Sequence, residues 1–589
     1  MSEQELPGAG PPGPSRGTSR TSEQGAGWTP ETTDPVGELP DAAWVAMASE
    51  PPLSTLPPAA DDHTLRQLPR KLSWLRVKVL WGTRNDFIAR LSDPTAALRR
   101  RHVGDPDARR LTVDLTTSAD RTNPADQTSS TEQQAGGPLS FLLMGDTGEG
   151  DCSQYALVPP LNAVAARVDP RFLFVCSDVI YPVGRFNDYT PKFYHPYKTV
   201  SLPIYAIPGN HDWYDGLEAF MTNFVGSESV GRAAQKLAAE SGSWLTRVRR
   251  WGLNLLRELL WSNPNWNLNE ELIAAGPPMR GQPAQQRNPA QPGPYFTIET
   301  DEVRFVGIDT GILGGIDGDQ GRWLREVSAG DKPKILLTGK PLVVDGEVKR
   351  TYRIDDAPPE LDTVLKVAHH PDHHYIAVIG GDVHNYQHYL VRLKGQGERP
   401  DRVVHHVVSG GGGAFMHATH LVPYVAVDDD DLAFEEATYR AYPLRMDSLA
   451  AFSKVLQSAV SRLRLPVQIQ IDDRQAARMI NERFVQLGAP EPYPQLRRPG
   501  EQTAPPSPPP LTWLQRVVNR GILLTIGGHR FQSLLAPALD WDRPPFFKHF
   551  LHLEVGPAGV HVRCFAVTGL GGPDEVNPPV EEEFTIPLR

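Results

Sequence analysis

Four short segments of this sequence carry residues suited to metal chemistry. They are Gly145-Asp146-Thr147-Gly148, Ser177-Asp178-Val179-Ile180-Tyr181, Gly209-Asn210-His211-Asp212 and Gly381-Asp382-Val383-His384. Together they offer carboxylates, a phenol, an amide and imidazoles, which are oxygen and nitrogen donors for a hard or borderline divalent or trivalent cation. Two cations sharing a bridging carboxylate, about 3.5–4 Å apart, would clamp the attacking and leaving oxygens of a phosphoryl transfer. A single Asp after a strand is usually a cap or turn residue. Four such segments in order make the chemical reading the stronger one.

These residues need elements that bring them together, and each segment directly follows a short apolar run. The runs are LSFLLMG (139–145), RFLFVCS (171–177), PIYAIPG (203–209) and YIAVIGG (375–381). VRFVGID (303–309), KILLTG (334–339) and VVHHVVSGG (403–411) have the same texture. Nearly continuous β-branched and aromatic runs bounded by turn residues predict strands covered on both faces. ALVPPLNAVAARV (156–168) reads as a crossover helix between the first two runs, despite its proline pair. The residues from 546 to 569 read as two alternating strands around a Gly-Pro-Ala-Gly turn. The fold class is therefore α/β layered. In open α/β sheets ligands bind beyond the carboxyl ends of strands, which is where all four segments fall.

In this order GDTG, SDVIY, GNHD and GGDVH resemble the motifs of the calcineurin-like metallophosphoesterase superfamily. The variant is similar to the purple acid phosphatase pattern, with a Gly-Asp-x-Gly first motif and a tyrosine in the second. The resemblance covers about residues 138–420 and the C-terminal strand pair, and it implies a four-layer α/β/β/α sandwich. It also implies that Asp146, Tyr181 and His384 hold a first metal, that Asp178 bridges two metals and that Asn210 holds the second. His211 would lie outside the ligand shell and assist the leaving group. The implied activity is hydrolysis of a phosphate ester by metal-activated water, with iron, manganese or zinc as cofactor. Glycines 145, 209, 380 and 381 would let the loops approach the metals.

Two positions depart from that pattern. The fifth strand should deliver a histidine to the second metal, but KILLTGKPL presents Lys340, whose ammonium has no lone pair. The last motif is usually Gly-His-x-His, and here Asp382 replaces the first histidine, still able to ligate through oxygen. The expectation is one tight metal and a weak second one, with Lys340 placing a fixed positive charge against a substrate phosphate. Burial would lower the Lys340 pKa, while neighbouring carboxylates and a bound phosphate would hold it protonated. His369 and His370 precede the sixth strand and are expected to lie too far from its carboxyl end to replace the missing ligand. A non-catalytic metal- or phosphate-binding scaffold with a degenerate second site is the alternative reading.

The remainder of the chain bounds these readings. Its 589 residues leave room for insertions, and 40% hydrophobic residues supply a core. With 59 Lys and Arg against 70 Asp and Glu, the net charge of -11 gives no general attraction to nucleic acid. Three cysteines, Cys152, Cys176 and Cys564, form no disulfide framework and no Cys-x-x-Cys pair, and Cys176 reads as core. The GDTGEGD glycines do not fit a dinucleotide loop, and a P-loop is missing. Residues 1–65, rich in Pro, Gly, Ser and acids, are expected to be a disordered tail. Residues 66–137 read as a basic helical segment and polar linker, and 138–589 as the phosphoesterase domain. Helical insertions are expected at about 221–294 and 428–535, the second opening with a solvated acidic run (428–431). The arginine-rich stretches 71–91 and 244–261 could touch a membrane surface peripherally. With no signal peptide and no membrane-spanning run, a cytoplasmic location is expected. His405 and His406 alternate along a strand, so at most one faces any given pocket.

Overall fold

The computed structural model describes residues 77–91, 93–104, 106, 111–116, 138–225, 291–350, 352–395, 400–419, 426–428, 432–435, 439–486, 509–525, 544–570 and 576–589. The expected tail (1–65), the stretch 244–261 and most of the first insertion lie outside them. Two large sheets organise the described residues. The first motif strand, β2 (Leu139–Met144), pairs in parallel with β3 (Leu173–Cys176), which pairs in parallel with β4 (Ile204–Ile207). On the other side of β2, the antiparallel β16 (Lys548–Gly556), β17 (Gly559–Val567) and β18 (Val580–Ile586) complete a six-stranded sheet in the order β18-β17-β16-β2-β3-β4.

The second sheet has ten strands. Its parallel centre is β6 (Arg304–Ile308), β7 (Lys334–Thr338), β10 (Tyr375–Gly380) and β12 (Arg402–Ser409). Antiparallel β5 (Phe296–Glu299) flanks β6 and carries β1 (Thr112–Asp114) at the edge. Antiparallel β11 (Tyr386–Leu393) flanks β12 and carries β13 (Ala426–Asp428), β14 (Leu432–Glu435) and β15 (Arg440–Tyr442). A small hairpin, β8 (Val343–Val344) with β9 (Glu347–Val348), follows β7.

The period-two geometry of a strand explains why the motif strands read as unbroken apolar runs. In β2, Phe141 and Leu143 face the core between the sheets, with Phe174, Ile207, Phe296, Val306 and Leu337. Leu142 and Met144 point the other way, against Leu157, Val158, Leu161 and Val164 of the helix Cys152–Val168. That helix begins four residues before the expected start, because the Asp151 side chain caps it by accepting from the Gln154 N–H. The far face of the ten-stranded sheet is covered by the helices Gly318–Ser328 and Val364–His369, through Trp323, Leu324, Val364 and Val367. The fold is therefore an α/β/β/α sandwich. Each fully buried Leu or Phe stabilises it by about 1.5–3 kcal/mol.

Three helices from the second insertion, Arg445–Arg462, Asp473–Gln486 and Trp513–Thr525, share a separate apolar cluster around Leu449, Phe452, Met479 and Ile522. Upstream, the helices Val77–Gly82 and Asn85–Leu91 expose Val77, Trp81, Phe87 and Leu91. Among the described residues no helix is long and apolar enough to cross a membrane.

Candidate metal centre

Parallel pairing in both sheets sends the loops after β2, β3, β4, β7 and β10 to one end of the sandwich. The backbone there is forced into tight turns. Asp146 (φ 58°), Asp178 (φ 23°) and Asp382 (φ 66°) all hold the left-handed conformation that residues with a Cβ rarely adopt. Such conformations persist where surrounding structure over-determines them, and they concentrate at functional sites. At two glycines the crowding is direct. A Cβ on Gly209 would lie 2.1 Å from Asp178 Oδ1, and one on Gly381 would lie 2.3 Å from the Cys176 carbonyl oxygen.

The phenol of Tyr181 is the hub. Its hydroxyl stands 2.8 Å from Asp146 Oδ1, 2.9 Å from Asp178 Oδ2 and 2.9 Å from His384 Nε2. Asp146, Asp178 and Tyr181 are each at most 1% exposed, and His384 is 3% exposed. The His384 Nδ1–H donates to the Phe415 carbonyl at 2.6 Å, so Nε2 carries the lone pair that faces Tyr181. Asp146 Oδ2 accepts the Asp382 N–H at 2.9 Å, and Asp178 Oδ1 accepts the His211 N–H at 2.8 Å. Asp212 ties the second and third loops by accepting from the Val179 and Gly209 N–H groups, each at 3.0 Å.

Lys340 forms a second focus. Its ammonium donates to Asp382 Oδ1 at 2.6 Å and to Asn210 Oδ1 at 3.2 Å, with its side chain only 13% exposed. The Asn210 Nδ2 donates to Tyr214 Oη at 3.1 Å. His211 donates from Nδ1 to the Pro182 carbonyl at 2.7 Å, and its ring lies 4.5 Å from that of Tyr181. The structure thus brings together all eight residues singled out from the sequence. His369 and His406 are bonded to each other, Nε2 to Nε2 at 2.9 Å, and His405 is bonded to His388 at 3.0 Å, so the two strand histidines face opposite ways as expected.

Burial and crowding set the charges. Burial, then the neighbouring Asp178 and Asp382, push the Asp146 carboxyl well above its ordinary pKa. Asp178 is raised mainly by burial. Burial, with Asp146 and Asp178 accepting its proton, pushes the Tyr181 phenol well up, and burial drives His384 well down. For Lys340 burial works downward, yet the adjacent Asp382 outweighs it and the ammonium ends above its ordinary value.

Four donor atoms therefore meet around a single phenolic proton, and three of them compete to accept it. With metal–ligand bonds of about 2.0–2.2 Å, neighbouring ligands of one ion lie about 3 Å apart. The distances around Tyr181 match that spacing, and a cation would relieve the crowding of carboxylates. Counting His, Cys, Asp and Glu alone, no group of three able to hold a metal ion is found among the described residues. With the Tyr181 phenol added, the donor types are those that suit one hard or borderline cation.

Three residues near the site carry no motif signature. Tyr214 orients Asn210, and Tyr352 lies close enough to Lys340 and Asp382 to feel both. His417 accepts the His384 N–H on Nδ1 at 2.8 Å. A buried clamp stands behind the third loop: Arg99, in the helix Thr95–Val103, bonds Asp309 at 2.8 Å and Asp317 at 2.6 Å. Asp309 in turn accepts from Trp213 Nε1 at 2.9 Å.

No protein-family model matches the sequence, and no curated protein sequence matches it. Among solved structures the chain is similar to a purple acid phosphatase, PPD1, from yellow lupin (Lupinus luteus) seeds. The two are 13% identical, with a TM-score of 0.26, over 51% of this chain and 47% of the lupin chain. It is also similar to GAP50, the anchor in the inner membrane complex of Plasmodium, at 12% identity and a TM-score of 0.27, over 51% of this chain and 79% of that one. The chain thus spans about half the length of the lupin protein it matches. Likeness this low carries no functional argument, so function rests on the site itself.

Proposed function

We propose that the protein hydrolyses a phosphate ester at this site, with Asp146, Asp178, Tyr181 and His384 holding one metal ion and Lys340 supplying a second positive charge. The observation that supports it is the convergence on the Tyr181 hydroxyl of Asp146, Asp178 and His384, from three separate loops, at 2.8–2.9 Å. A metal ion held there would supply Lewis-acid polarisation of a phosphoryl oxygen and acidify water. The chain's own groups do the rest. Lys340 is kept protonated and faces the phosphoryl oxygens, where positive charge stabilises the transition state. Asn210, turned by Tyr214, and Asp382 hold the Lys340 ammonium in place. The Pro182 carbonyl holds Nδ1–H of His211, so the proton given to the departing alkoxide is the second one, carried on Nε2 of the imidazolium, and its loss leaves the neutral ring with Nδ1–H still bonded.

A second reading, a non-catalytic metal- or phosphate-binding scaffold, draws on one observation. The Lys340 ammonium is bonded to Asn210 and Asp382, the two residues expected at a second cation. Metal content measured beside turnover of a generic aryl phosphate separates the readings. Turnover dependent on bound metal supports the hydrolase, and metal or phosphate binding with no turnover of any ester in a broad panel supports the scaffold.

A further inference from the structure

We infer that His417 is a substrate-binding residue, donating a hydrogen bond from Nε2 to a phosphoryl oxygen. This rests on the phosphoesterase reading above and extends it to a residue outside every motif. The glycine run 410–413 after β12 turns the chain back across the site and delivers Phe415 and His417 to it. There His417 is clasped to His384 twice: it accepts the His384 N–H on Nδ1 at 2.8 Å, and its own N–H donates to the His384 carbonyl at 3.2 Å. The two imidazoles lie 4.4 Å apart at 31°, and Phe415 meets the His417 ring edge-on at 5.2 Å.

The clasp fixes the tautomer. A nitrogen that accepts a backbone N–H carries no proton, so the single proton of a neutral His417 ring is on Nε2. Nε2–H is therefore a fixed donor. Among the described residues it has no bonded partner, and the side chain is half-buried rather than sealed. His417 also lies within electrostatic reach of Asp382, the carboxylate that Lys340 neutralises. A donor whose tautomer is set by backbone, on a half-buried ring that feels the charges of Asp382 and Lys548, can bind an oxyanion with little reorganisation.

The two nitrogens can be tested separately, because Asn places a polar group near the Nδ1 position and Gln near the Nε2 position. Binding of inorganic phosphate to the full chain as purified, by titration calorimetry, is measured together with metal content, unfolding temperature and aryl phosphate turnover. His417→Asn is expected to keep its metal and to bind phosphate about 10–100-fold more weakly, the scale of one lost hydrogen bond to a charged group. His417→Gln is expected to stay within about threefold of the parent in phosphate affinity. The reverse ranking, Asn retaining affinity and Gln losing it, would show a brace for His384 and overturn the proposal. So would unchanged affinity in both variants with turnover intact, which leaves the hydrolase reading standing. If the parent protein neither binds phosphate nor turns over an ester, the hydrolase reading and this inference fail together.

Discussion

Tyr181 Oη and His384 Nε2 lie 2.9 Å apart with the histidine lone pair turned toward the phenol, so a tyrosine carries a side-chain contact between the carboxylate loops and the last motif. Removing the hydroxyl leaves Asp146 and Asp178 facing each other without it. Tyr181→Phe is expected to lower metal content and turnover together. A phenolate bound to ferric iron also gives a visible charge-transfer band, so iron-loaded, oxidised protein should be coloured and the variant bleached. Colourless parent protein with iron located at this site would count against phenolate ligation.

His211 lies beside that hub without bonding the Tyr181 hydroxyl, held through Nδ1 by Pro182 and through its backbone N–H by Asp178. His211→Ala should keep its metal and lose about 10²–10⁴-fold in turnover, the usual scale of general acid catalysis. Steady-state kinetics with metal quantified in the same samples checks this. Full activity would remove His211 from the mechanism.

Arg99 reaches the site only through others. It pairs with Asp309 and Asp317, and Asp309 holds Trp213 two residues beyond His211. All three charged groups are at most 3% exposed. Taking one partner from such a cluster leaves a buried charge uncompensated, at a cost of about 3–5 kcal/mol. Arg99→Ala should therefore lower the unfolding free energy by about that much in denaturant titration, with the acid-paired Arg99→Lys losing less. A loss under about 1 kcal/mol would mean that the acids find other partners.

Much of this layout is legible in the sequence, for a physical reason. The strands that lead into the site, β2, β3, β4, β7 and β10, are covered on both faces and so are written mostly in apolar residues. The strands that escape notice have mixed surroundings. β18 reads Val-Glu-Glu-Glu-Phe-Thr-Ile at a sheet edge and looks like a polar tail, although Glu582 bonds Tyr386 and His388. β11 places Gln387, His388 and Arg392 among its apolar residues, so no clean period survives. Within the site, motif order locates the eight residues, and the Lys340–Asp382 pair is foreshadowed by two departures from one pattern. His417 is not foreshadowed. It lies 33 positions from the residue it clasps, and chain reversal at the glycine run is a tertiary event.

Away from the centre, Glu218 gives a pH dependence with a definite sign. Burial raises its pKa from the ordinary 4.5 to about 7. The folded state thus holds this proton more tightly than the unfolded chain does. Its contribution is fully present below about pH 4.5 and is lost as pH rises toward about 7. Glu218→Gln removes the titration. The variant and parent should have similar stability at about pH 4.5, and the variant should be the more stable at about pH 8. Denaturant midpoints at both values decide it, and a stability difference independent of pH would rule out the shifted carboxyl.

The last prediction concerns the Lys340 ammonium, 2.6 Å from Asp382 and 3.2 Å from Asn210. A cation already stands between the two oxygens that the resemblance assigned to a second metal. Isolated protein is accordingly expected to carry one tightly held metal ion per chain and a weak or absent second one. Lys340→Ala should keep the first metal, gain no second, and bind phosphate about 10–100-fold more weakly, because a charged hydrogen-bond donor to the substrate is gone. Lys340→His offers a lone pair in place of the ammonium and frees Asp382 and Asn210, so second-site occupancy should rise. Carboxylates left unpaired in Lys340→Ala repel one another, so unfolding curves must accompany the binding data to show that the variant is folded. Elemental analysis settles the matter: two tight metals per chain in the parent, unchanged in Lys340→Ala, would mean that Lys340 is not the substitute for a second ion.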